Sequence, residues 1–203
     1  MRALKILAKV VGYLALAGAL IWAIFPRQAE DFRPLAEDGN DFAQYALGVM
    51  YAEGNSVDRD DDEAVRWLRA AADQSYAPAQ TWLAKMHQEG RGVPEDQFEA
   101  ARLLRSAVDQ GNADAKNNLA LMYVDGAGVR QDYDAALRLL RSAVADGHRR
   151  AHVNLGFMYA QGMGITRDAE EAVRLYRVAA DQGDELGEQR LSDICSVTWY
   201  EGC

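Results

Sequence analysis

The chain has 203 residues, 49% of them hydrophobic and 26% charged, and a formal net charge of -9, a balance that suits a folded domain and excludes a disordered or collagen-like chain. The charge is uneven: residues 1–27 carry Arg2, Lys5, Lys9 and Arg27 and no acid, which leaves 18 basic and 31 acidic side chains in residues 28–203. So acidic a body repels phosphate and argues against nucleic-acid binding, and two cysteines near the C-terminus are too few for a disulfide framework or a four-ligand zinc site.

From Val10 to Phe25 the chain reads VVGYLALAGALIWAIF, sixteen residues without a charge. As a helix this stretch spans about 24 Å, and counting from Leu4, with Lys5 and Lys9 snorkelling, brings it to the roughly 30 Å of a hydrocarbon core. Basic residues before the stretch and Glu30, Asp31, Glu37 and Asp38 after it keep the N-terminus cytoplasmic and put the body outside. Residues 1–27 therefore read as an N-terminal transmembrane helix that anchors the chain. The rival reading is a cleaved signal peptide, because Ala17-Gly18-Ala19 has the small-x-small form of a cleavage site, although apolar residues continue to Phe25 where a polar region should begin. A buried core helix is the third reading.

The rest of the chain repeats. YALGVMYAEGNSV from Tyr45, WLAKMHQEGRGV from Trp82, NLALMYVDGAGV from Asn118 and NLGFMYAQGMGI from Asn154 align without a gap, and Leu47, Leu83, Leu119, Leu155 and Leu191 recur every 36 residues. The same step relates Gly54, Gly90, Gly126 and Gly162, and likewise Asp60, Asp96, Asp132 and Asp168. Each unit predicts two helices. Helix A carries Ala79, Leu83, Met86 and His87 on one stripe and stops near Gly90. Helix B starts at the repeated Asp, and Glu63, Glu99 and Glu171 at the fourth position have capping-box spacing. Alanines at 71, 107, 143 and 179 let neighbouring helices approach closely. Four full units fill residues 41–184, residues 32–39 match the end of a preceding helix B, and residues 185–195 match the start of a fifth helix A. The predicted fold is all-α: an α/α solenoid superhelix of 36-residue helix-turn-helix repeats over residues 28–195, with a tail at 196–203. A lone pair of helices cannot bury its apolar face, so the units must fold together.

Chemistry is scarce. The Gly-x-Gly pairs at Gly90 and Gly92, Gly126 and Gly128, and Gly162 and Gly164 join helix to helix and lack the Lys-Ser/Thr of a phosphate loop. The repeated Asp and Glu stand at helix starts in separate units, which suits capping better than acid/base work. His87, His148 and His152 have no third ligand at metal spacing, and no nucleophile motif occurs. No metal, no cofactor and no catalytic residue is assigned.

The pattern A-x3-LG-x-MY-x2-G-x-GV-x2-D-x3-A, most complete in residues 151–172, resembles the Sel-one-like repeat family, relatives of the tetratricopeptide repeats, over about residues 32–195. It departs from that pattern at Asn55-Ser56, Ser75 and His87. The resemblance implies a protein-binding scaffold of a kind that bacteria often export as a regulator or an adaptor in envelope assembly; together with the N-terminal segment it makes the chain a non-catalytic scaffold or regulator in the periplasm, held at the inner membrane. It also implies an alternative: an immunity protein that neutralises a periplasm-acting secreted toxin such as a phospholipase effector. The partner is in either case another protein, of the envelope or a secreted toxin.

In stacks of this family the A helices line the concave face, so the side of each helix A opposite its packing stripe is expected to meet the partner. On a helical wheel that side holds Tyr45, Val49, Trp82, Lys85, Asn118, Leu121, Val124, Val153, Asn154 and Phe157. Apolar side chains where a solvated face should be polar, with a few polar groups among them, make a protein-binding strip, with Trp82 and Phe157 as anchors. The competing expectation is that some of them pack against adjoining A helices. Cys195 and Cys203 lie eight positions apart, a separation that cysteine pairs of the family share at another place in the repeat, and export favours a bridge between them.

Overall fold

The structure, a computed structural model, describes residues 28–197. The described residues form ten α-helices and no strand: α1 (Ala29–Glu37), α2 (Asp41–Glu53), α3 (Asp61–Asp73), α4 (Ala77–Glu89), α5 (Gln97–Asp109), α6 (Ala113–Asp125), α7 (Tyr133–Ala145), α8 (Arg149–Gln161), α9 (Ala169–Asp181) and α10 (Glu185–Val197). Even-numbered helices are A helices and odd-numbered ones are B helices. Each helix packs on the next, and α2 with α4, α6 with α8 and α8 with α10 also touch directly, while no two B helices among the described residues are in comparable contact. Closer approach on one side curves the stack, so the A row lies on the inner side. The preceding helix B is longer than the 32–39 match suggested: α1 begins at Ala29 and carries Pro34 inside it.

Local chemistry sets these boundaries. The repeated aspartates cap helix B: Asp96 accepts from the N–H of Phe98 and Glu99 at 3.0 and 2.9 Å, and Asp60, Asp132 and Asp168 do the same work in their units. Only half of the expected capping box forms. Glu63, Glu99 and Glu171 turn outward to Arg66, Arg102 and Arg174 three residues on, at 2.7, 2.6 and 2.5 Å. The N–H that a capping box would use is already taken, because Asp60, Asp96 and Asp168 donate it to the carbonyls of Tyr51, His87 and Tyr159 at 3.0 Å, so each Glu pairs with the charged guanidinium one turn away.

Burial follows the repeat. Leu47, Leu83, Leu119 and Leu155 are buried, and Ala71, Ala107, Ala143 and Ala179 are fully covered where helices come closest. Buried amides tie successive B helices through the A row. Gln44 donates to the Ala36 carbonyl at 3.0 Å and accepts from Gln74 at 2.8 Å; Gln80 accepts from Gln110 at 2.9 Å in the next unit. These bonds satisfy polar groups that would otherwise be costly to bury. Among the described residues no helix is long and apolar enough to cross a membrane; the predicted transmembrane helix at residues 1–27 and the tail residue Cys203 lie outside them.

Candidate protein-binding groove

The A row carries a continuous groove. Its first depression, about 220 Å³, is lined by Tyr45, Trp82, Lys85 and Asn118 together with Pro78 and Asp114. Lys85 and Asn118 also border a second, of about 410 Å³, with Gln88, Glu89 and Leu121. Leu121 leads to a third, of about 210 Å³, with Val124, Val153, Asn154, Phe157 and Leu186. Phe157 and Arg190 connect this to a fourth, of about 220 Å³, lined also by Gln161, Arg167, Asp193 and Ile194. Shared residues make one surface of the four.

Nine of the ten wheel-derived residues thus meet in this groove, and the two large exposed apolar groups among them are Leu121 and Phe157, at 38% and 37% exposure. Val49 does not line it; it packs on the main core cluster. Val153 is only 2% exposed and belongs to the cluster of Ala172, Tyr176 and Ala179, so it forms floor rather than an exposed contact. A wheel counts one helix at a time and cannot register the neighbour that covers it. At the same place in the other units Thr81 and Asn117 are also buried.

The aromatic end is ordered by its neighbours. Tyr45 packs against Tyr76 with ring centroids 5.3 Å apart and planes inclined at 52°, and burial pushes its hydroxyl pKa up against a hydrogen bond with Trp82. Lys85 lies 5.1 Å over the Trp82 ring and Arg190 5.8 Å over Phe157, both within cation–π range. Asp114 is held below the usual carboxylate range by its 2.9 Å hydrogen bond from His148. His148 in turn caps α8, its Nδ1 accepting from the Ala151 N–H at 3.0 Å. Both ring nitrogens are therefore engaged, and the described residues hold no group of three or more His, Cys, Asp or Glu that fits a metal. Arg190 was missing from the wheel-derived set, yet it stands 36 residues beyond Asn154 and 72 beyond Asn118; carrying the period one helix further finds it.

A model of the Sel1 repeat matches residues 41–76, 77–112, 113–148 and 149–184. The chain belongs to the Sel1 repeat family. Among solved structures it is similar to c5321, a protective antigen of uropathogenic Escherichia coli with an SLR fold, at 36% identity over 80% of this chain and 35% of that one, TM-score 0.71. It is similar also to a Sel1 repeat protein from Oxalobacter formigenes, at 32% identity over 76% of this chain and 62% of that one, TM-score 0.69. The chain thus spans less than two thirds of either protein. The immunity protein Pa5087 of Pseudomonas aeruginosa shares the fold, at 21% identity, 78% and 59% coverage and TM-score 0.58. No curated protein matches the chain. Sel1 repeat proteins are generally non-catalytic scaffolds, and the four repeats of this chain fit a protein-binding role.

Proposed function

We propose that this Sel1 repeat chain regulates or scaffolds a protein of the bacterial envelope, held at the inner membrane by residues 1–27 with its repeats in the periplasm. The groove carries the reading of partner binding: an apolar strip centred on Leu121 and Phe157 with a polar rim is what a protein interface requires. The basic flank of residues 1–27 and the acidic residues that follow support the topology. An alkaline phosphatase fused to the C-terminus is expected to be active; activity of a cytoplasm-only reporter there overturns the location.

The partner is identified by affinity capture of the full chain from detergent-solubilised envelope and mass spectrometry. Trp82→Ala or Phe157→Ala is expected to reduce capture about tenfold, as for aromatic anchors, with the helical circular dichroism signal unchanged. Undiminished capture by both variants removes the groove from the interaction. The fold shared with Pa5087 motivates a second reading, an immunity protein against a secreted toxin. Under it the captured partner is the toxin, and loss of the chain makes cells sensitive to it.

A further inference from the structure

Three of the four depressions are the same place in successive units. Gln88, Val124 and Ala160 stand at one helix A position, one repeat apart, and so do Asn118, Asn154 and Arg190. The groove is therefore a row of equivalent seats, spaced as the A helices are, at about 10 Å. Their chemistry differs in order along the row. The seat between α4 and α6 is polar, with Lys85, Gln88 and Glu89. The seat between α6 and α8 is apolar, with Leu121, Val124 and Phe157. The seat between α8 and α10 brings two guanidiniums, Arg167 and Arg190, against one carboxylate, Asp193. Neither arginine has a salt bridge among the described residues.

Between the seats runs a chain of side-chain amides. Asn154 donates to the Asn117 Oδ1 at 2.7 Å, and Asn117 donates to the Asn118 Oδ1 at 3.1 Å. This leaves the amide N–H groups of Asn118 and the Oδ1 of Asn154 with no hydrogen-bond partner among the described residues. One spare donor and one spare acceptor, half-buried beside adjoining seats, suit a partner backbone with free C=O and N–H groups. A helix offers none along its length, because its backbone groups bond internally. A β-strand has free groups but turns every third side chain to the opposite face. A polyproline-II segment fits both conditions: its backbone is unbonded, and it repeats every three residues over about 9.3 Å, close to the seat spacing.

Resting on the reading of this groove as the partner-binding surface, we infer that it takes an extended, polyproline-II-like segment of the partner protein, whose side chains at i, i+3 and i+6 enter the three seats as polar, aliphatic and acidic groups in that order from α4 to α10.

The test is fluorescence anisotropy of the full chain in detergent with labelled peptides. The probe is Gln-Pro-Pro-Leu-Pro-Pro-Glu, compared with its two-residue and four-residue spacings and with a version bearing Lys in place of Glu. The three-residue spacing is expected to bind at least tenfold more tightly than either other spacing. Arg190→Glu is expected to lose that affinity about tenfold and to gain for the Lys peptide, a reversal that a merely misfolded variant cannot produce. No binding, equal binding at all spacings, or an unchanged charge preference in Arg190→Glu overturns the inference. If the envelope partner is still captured in a Phe157-dependent manner while the peptides fail, the groove stands and the extended segment falls; if capture too is independent of the groove, both fall.

Discussion

Two glycines that look alike in the repeat are expected to differ sharply on replacement by alanine. Gly111 ends the α5 turn with φ +84° and has nothing within 4 Å of the position a Cβ would take. Gly128 lies in the loop after α6 with φ +62°, and a Cβ there would stand 2.0 Å from the Gln97 carbonyl oxygen and 2.3 Å from its carbon. Both variants carry the cost of a side chain at positive φ, about 1–2 kcal/mol, partly offset by the stiffer unfolded chain. Only Gly128→Ala meets backbone of the preceding unit, which must withdraw by more than an ångström to reach the 3.4 Å of ordinary contact. Overpacking of this kind adds about 1–3 kcal/mol, giving about 3 kcal/mol in all against about 1 kcal/mol for Gly111→Ala. Urea unfolding of the full chain, followed by circular dichroism, is the assay. A repeat stack depends on its nearest-neighbour interfaces, so Gly128→Ala should also broaden the transition as units uncouple. Equal midpoint shifts in the two variants refute the reasoning. The first unit supports it: Ser75, in the place of Gly111, holds φ 65° at the open position, and the counterpart of Gln97 that would face Ser56, at φ 67°, is residue 25, ahead of α1 and outside the described residues.

Three further outcomes follow from particular contacts. Asp61 is held at a pKa of about 2, first by hydrogen bonds from Arg59 and then by those from Arg91 of the next unit. Its contribution is therefore complete above the ordinary value of 3.8 and lost as pH falls towards 2; Asp61→Asn should flatten the fall in urea midpoint over that window, and an unchanged slope counts against the pair. His87 stands where Tyr51 and Tyr159 accept from Arg33 and Arg141, and its buried Nδ1 has no hydrogen-bond partner among the described residues. His87→Tyr, with Arg69 in the matching place, should raise the melting temperature by the worth of one hydrogen bond, about 1 kcal/mol; a lower melting temperature shows that the site cannot hold the ring. Pairing of Cys195 with Cys203 is expected to stabilise by about 2.5 kcal/mol through loop closure. Maleimide labelling of the unreduced exported chain should find no thiol, and two labelled thiols exclude the bridge.

Periodicity alone determined the helices, their order and most of their ends. A 36-residue step that repeats Leu, Met, Gly and Asp at set places leaves room only for two helices and two turns, and Asp96 or Asp168 caps its helix through bonds reaching two or three residues along the chain. Such interactions are local, so they are written in adjacent residues. The groove was legible to the same extent, because Trp82, Leu121 and Phe157 break the polar pattern of an outward face. What the wheel could not supply was set by neighbours distant in sequence. Val153 is buried because its cluster joins it to Ala172 and Tyr176 of the following helix. Arg190 enters the groove because α10 extends the A row by one more helix. Gly156 lies against Tyr176, where a Cβ would come within 2.8 Å of the ring. Each of these depends on how closely two helices approach, and that separation is the sum of many side-chain volumes across both surfaces. Only the packed stack resolves it.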